Sequence, residues 1–130
     1  MVFDDSAELP AQAGRVSGPL GVDDRVFIRE ARRCWVVSVR EIELLQAEGN
    51  YTRVYFAKNQ PLLYRSLQLL EKRLPSDLFF RVSRSHLISV HAIVTIENGE
   101  NGQYRVALRN GVEILISRRQ ARAFREKMSL

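Results

Sequence analysis

Three short stretches of this 130-residue chain carry side chains suited to gripping a polyanion. "EGNYTR", residues 48–53, offers Asn50, Tyr51, Thr52 and Arg53 at a turn between two strand-like runs. "RVSRS", residues 81–85, offers Ser83, Arg84 and Ser85 just where an alternating pattern set by Phe80 and Val82 breaks at Arg84. "ISRRQAR", residues 116–122, places Arg118, Arg119 and Arg122 where a last strand passes into a helix. The first N–H groups of such a helix suit phosphate. The shared chemistry is nucleic-acid recognition, in which arginine forks guanine, Asn or Gln pairs with adenine, and hydroxyls meet phosphates or bases.

Each stretch also has a purely structural reading. "EGNYTR" can be an ordinary hairpin turn with Tyr51 on the core, and "SRRQAR" a capped helix with a solvated basic face. "RVSRS" is harder to explain that way, because a break in alternation marks a strand leaving its sheet. Arg81, on the polar face ahead of the break, reads as a structural or phosphate contact, and Arg84 as the residue that reads a base.

The charge distribution favours a polyanion. Residues 1–24 hold one arginine against five carboxylates, a net −4, so the +5 of the whole chain leaves +9 on the remainder, mostly as arginine. Catalytic groupings are poor by comparison. His86 and His91 have no neighbouring Asp or Glu, and Glu41 and Glu43 alternate with apolar residues as on a solvated strand face. There is no P-loop, GxGxxG or GxSxG motif, so the expectation is a protein that is not an enzyme. Cys34 is the one cysteine, which leaves no internal disulfide and no metal-ligand cluster, and no cofactor is expected. With neither a signal-peptide pattern nor a long apolar run, the expected location is the cytoplasm and no membrane partner is implied.

The elements that must position these residues are mostly strands. Residues 1–24, rich in Gly, Pro, Ala and Asp, read as a flexible acidic leader whose carboxylates could compete weakly with phosphate. Residues 25–130 read as a single domain. "RVFIRE", "CWVVSV", "EIELLQAE", "TRVYFA", "PLLYR", "RVSR", "AIVTIE", "YRVALR" and "VEILIS" form short runs separated by turn signals. Among those signals, "RNGVE" reads as a two-residue Asn-Gly hairpin. Two helices interrupt the strands. "SLQLLEKRLP" is capped by Ser66, with Leu67, Leu70 and Leu74 on one stripe, and "SRRQARAFREKM" is capped by Ser117, with Ala121, Phe124 and Met128 on its apolar face.

In type and order, "EIELLQAEGNYTRVYF", "LLYRSLQLLEKRLPSDLFFRVSRSHLISVHAIVTI" and "NGQYRVALRNGVEILISRRQARAFREKM" resemble the LytTR family of bacterial DNA-binding domains over residues 25–128. The resemblance implies a mainly β fold of elongated antiparallel sheets whose loops enter successive major grooves. It also implies a transcription regulator that binds direct repeats in promoters, with two copies associating on the DNA. By motif it makes Asn50 and Thr52 groove-facing, adds Ser83, Arg84 and Ser85, and then Arg118 and Arg119, while Tyr51 supports its loop. Arg53 and Arg122 complete the expected contacts.

Family members often have His where Ser83 stands and Asn where Ser89 stands, so base preference at the second loop does not carry over. Residues 1–24 are too short for the receiver domain usual in the family, and phosphorylation control within this stretch is not expected. Two other classes remain open: a protein-interaction module that keeps the fold and regulates a partner through a strand edge, and an RNA or single-strand binder. For the latter, Phe27, Trp35, Phe56, Phe79 and Phe80 look like core rather than stacking platforms.

Overall fold

Alternating apolar residues make "RVFIRE" and "RCWVVS" a hairpin of β1 (Arg25–Glu30) and β2 (Arg33–Ser38), in a computed structural model that describes residues 19–129. Five further strands form one antiparallel sheet: β3 (Leu44–Glu48), β4 (Tyr51–Tyr55), β5 (Leu62–Leu63), β6 (Phe79–Arg81) and β7 (His86–Ser89), in the order β5-β4-β3-β7-β6. A second antiparallel sheet has the order β10-β9-β8, from β8 (Ile93–Asn98), β9 (Tyr104–Leu108) and β10 (Glu113–Ile116). The helices are α1 (Leu67–Arg73) and α2 (Arg118–Met128).

The five-stranded sheet is the middle layer, with both faces covered. On one face Leu45, Val54, Phe79 and Leu87 pack with Ile28 and Val37 of the first hairpin, with Leu67 of α1 and with Leu74 just after it. On the other, Leu44, Ile88 and Val82 pack with Val106 and Leu108 of β9, Ile114 and Ile116 of β10, and Ala121 and Phe124 of α2. Successive residues of β3 and β7 therefore enter opposite cores. A strand buried on both sides reads as a continuous apolar run rather than an alternation.

That explains one difference from the sequence reading. "HLIS", which lacks alternation, forms the strand β7 beside β3, whereas "RVSR" is no strand: β6 stops at Arg81 and residues 82–85 form a loop. Glu43 is not on a solvated face either. It is 7% exposed, with its carboxylate held by Arg109 Nε at 2.8 Å and Asn110 Nδ2 at 3.2 Å, an ion pair joining the two sheets. Glu41 accepts from the Ser38 backbone N–H and fixes the turn into β3.

The β9–β10 turn is not the expected two-residue hairpin. Gly111 N–H donates to Leu108 and Leu108 N–H to Val112 across three residues, and only Gly111 of these has positive φ, at 92°. The two-residue form occurs instead at Ala57-Lys58, both with positive φ.

The expected leader falls mostly on residues 1–18, which lie outside the described residues. Its last part belongs to the domain, since Leu20 N–H donates to the Arg73 carbonyl at 2.7 Å and Leu20 and Val22 pack on the first core. Phe27 and Met128 also depart from their expected core places, at 40% and 46% exposed. Among the described residues no helix is long and apolar enough to cross a membrane.

Candidate nucleic-acid interface

The strand pairings bring the polar loops to one end of the middle sheet. β3 ends at Glu48, pairs with Tyr51 across the Gly49-Asn50 turn, and β7 begins beside Gln46 at His86. One step further, Ala47 N–H donates to the Ser85 carbonyl at 2.8 Å. The Asn50 turn and the loop of residues 82–85 are thus neighbours. Gly49 has a φ of 64°, which a hairpin with positive φ at its first central residue requires, and it leaves Asn50 exposed at the tip.

Helix α2 points its first turn toward the same end. Its C-terminal Lys127 donates to the Ser76 carbonyl ahead of β6, and Phe124 meets Phe80 of β6 with ring centroids 5.0 Å apart. The helix therefore runs antiparallel to β6, and Arg118, Arg119 and Arg122 lie toward the loop of residues 82–85. Ser117 caps the helix by accepting from Gln120 N–H, as its sequence predicts. Arg118 crosses the Glu100–Gly102 turn so closely that a Cβ on Gly102 would stand 3.0 Å from its side chain.

Arg81 braces the second loop. Its Nε donates to the Ser83 carbonyl at 2.7 Å and its Nη2 to the Arg84 carbonyl at 2.8 Å, while Nη1 pairs with Glu71 of α1. Two carbonyls are thereby fixed and the Arg84 side chain is left exposed. Ser83 is half-buried and turned into its own loop, accepting from Ser85 N–H at 3.1 Å with its Oγ 2.9 Å from His86 Nδ1. Ser85 is exposed beside Arg84.

Two expected contacts have other work. Thr52 is fully buried, and its hydroxyl donates to the Arg65 carbonyl at 2.7 Å rather than reaching solvent. Alternation in β4 turns Thr52 inward, as it does Val54. Arg53 is held by Glu48 through Nε at 2.6 Å and Nη2 at 3.1 Å, and by the Gln60 carbonyl through Nη1. Its hydrogen bond holds the Glu48 carboxyl below its ordinary range, and the same bond raises Arg53. Glu48 follows Ala47, whose N–H donates to the Ser85 carbonyl, so Arg53 engages a carboxylate at the same end of the sheet as the second loop.

The arginines of the loops and of α2 differ in what engages them. Arg40, Arg53, Arg81, Arg105 and Arg109 pair with carboxylates, whereas among the described residues Arg65, Arg84, Arg118, Arg119 and Arg122 do not. Those five are exposed, as are Arg25, Arg32, Arg33 and Arg125, which likewise pair with no carboxylate among the described residues. Sequence reasoning missed Arg65 and the brace residue Glu71. The pairing of "YTRV" with "LLYR" would have brought Arg65 beside the Asn50 turn, but β5 is only two residues long and its register is invisible without the sheet.

Burial lowers the His86 pKa, because the imidazolium loses hydration there. The unfolded chain therefore takes up this proton first. The associated stability is present above the unfolded value near 6.5 and lost as the pH falls through the lower folded value. His86→Gln should flatten the fall in denaturation midpoint as the pH drops below about 6.5; an unchanged fall would show that His86 is not its source.

These features define a mainly β domain with exposed arginines on loops and one helix terminus at one end of the middle sheet. The family model for the LytTr DNA-binding domain matches residues 32–129, and the chain belongs to that family, one of DNA-binding domains and not of enzymes. It is 26% identical over 112 residues to the sensory transduction protein LytT of Enterococcus faecalis, covering 86% of this chain and 43% of that protein. It is 28% identical over 101 residues to the heme-containing CO-sensing transcriptional regulator RcoM 1 of Paraburkholderia xenovorans, covering 74% of this chain and 38% of that one. The chain thus spans about two fifths of the length of such relatives. A solved LytTr DNA-binding domain from Bacillus cereus superposes with a TM-score of 0.74 at 24% identity over 82% of this chain and 97% of that one, and shares the fold.

Proposed function

We propose that this chain is the DNA-binding part of a bacterial, cytoplasmic transcription regulator that recognises a specific double-stranded sequence. The observation that carries this reading is the placement of Asn50, Arg84, Arg118 and Arg119, all exposed and the arginines without a carboxylate partner among the described residues, on the loops and helix start at one end of the middle sheet. Asn50 and Arg84 present a donor–acceptor amide and a guanidinium fork from adjacent loops. Two interstrand spacings, roughly 10 Å, separate their places in the sheet, which fits within a major groove about 12 Å wide.

In this reading Arg84 reads a base and Ser85 supports it. Arg118 and Arg119, on the first turn of α2, serve the neighbouring stretch of duplex, and Arg122, one turn on, meets phosphate. Thr52, Arg53, Ser83 and Arg81 hold the loops from within. Two copies on direct repeats would extend the same contacts along one face of the DNA.

Of the five rings weighed for a single-strand binder, Phe56 and Phe79 are buried and Trp35 and Phe80 half-buried against other rings, which disfavours that alternative, while Phe27 is 40% exposed. Measured by fluorescence anisotropy on duplex DNA, affinity should fall with salt at a log-log slope of about −0.9 per phosphate neutralised. A duplex should also outcompete either of its strands. Affinity indifferent to salt, or preference for the single strand, would contradict the proposal.

A further inference from the structure

Tyr64 and Arg65 stand at the same end of the sheet as Asn50 and Arg84, on the β5 side. Pairing of Thr52 with Leu63 places Tyr64 across from Tyr51, and their rings meet with centroids 4.8 Å apart at 49°. Both tyrosines are open to solvent, at 42% for Tyr51 and 63% for Tyr64. The buried Thr52 hydroxyl grips the Arg65 carbonyl, fixing the backbone from which the exposed guanidinium extends. That guanidinium donates only to the carbonyl of its own neighbour Tyr64, at 2.9 Å, and meets no carboxylate among the described residues.

From these observations we infer that Tyr64 and Arg65 form a phosphate clamp on the DNA backbone beside the groove entered by Asn50 and Arg84. The inference rests on the DNA-binding reading above. Distance decides between base and backbone. Arg65 sits at the β5 edge and Arg84 between β7 and β6, three to four interstrand spacings apart, or roughly 17 Å. That exceeds a major groove of about 12 Å, so with Arg84 inside the groove Arg65 falls on the phosphodiester wall. The chemistry suits that position: a guanidinium fork and a phenol hydroxyl both donate to phosphate oxygens, while Tyr51 buttresses the Tyr64 ring and limits its rotamers.

The test compares wild type and Arg65→Gln on one selected duplex across salt, with thermal melting of both proteins alongside. Because the Arg65 side chain is exposed and its one hydrogen bond is to the adjacent Tyr64 carbonyl, melting should be unchanged. The salt slope should become shallower by about 0.9, so the affinity gap between the two proteins narrows roughly 3.5-fold between about 50 and 200 mM salt. The loss should be the same for all duplex sequences, and trimming the duplex on the β5 side should weaken wild type but not the variant. Parallel salt slopes, alongside weakened binding by Arg84→Ala, would overturn the clamp and leave the DNA-binding reading standing. Wild-type binding with no salt dependence would remove both.

Discussion

Replacing Phe124 with alanine should destabilise the domain by about 3 to 5 kcal/mol, the range for deleting a buried aromatic ring. Phe124 is 1% exposed, stacks edgewise on Phe80 and closes the second core against Val106, Ile114 and Ile116. The consequence reaches beyond stability. Ala121 and Phe124 are the two buried side chains of α2, and near its C-terminus Lys127 donates to the Ser76 carbonyl in an exposed bond. Loss of the ring therefore frees the helix carrying Arg118, Arg119 and Arg122. Urea denaturation should show the loss in midpoint, and DNA affinity should drop even at temperatures where the variant is folded. A cost below about 1 kcal/mol would mean the cavity collapses without strain and the helix is held by something else.

The two arginines of "RVSRS" should behave as opposites. Arg84→Ala removes an exposed side chain whose backbone is held independently by Arg81, so the melting temperature should not move. Its effect should be a loss of about 1 to 3 kcal/mol on the preferred DNA and relaxed choice at one base position. Arg81→Ala removes donors to two loop carbonyls and the pair with Glu71, leaving a loop without its brace. Melting temperature should then fall, and binding to every sequence should weaken together. Equal, sequence-independent losses from both variants would reduce Arg84 to a backbone contact.

The features legible in the sequence were those governed by local physics. Ser66 and Ser117 cap their helices because a hydroxyl before an apolar stripe satisfies an otherwise unpaired N–H, and Gly49 admits the turn that exposes Asn50. What escaped was set by pairing between distant segments. β7 was hidden because its two faces enter different cores, and Glu43 looked solvated because Arg109, its partner, lies 66 residues away. The same limit explains Thr52 and Arg53. Residue types in "GNYTR" suggest contact with DNA, but only the strand's alternation and the neighbouring Glu48 decide which side chains turn inward or become engaged. Family resemblance supplied the general function, and the structure separated the side chains that build the loops from those that leave them.

Sequence-specific recognition of duplex DNA by the exposed arginine end is the central claim, and selection of bound sites from a pool of random duplexes tests it most directly. Wild type should enrich one short motif, present once or as a direct repeat, and Arg84→Ala should recover that motif with a single position degenerate. A pool that stays random after repeated rounds with wild-type protein, despite measurable binding, would contradict sequence-specific recognition.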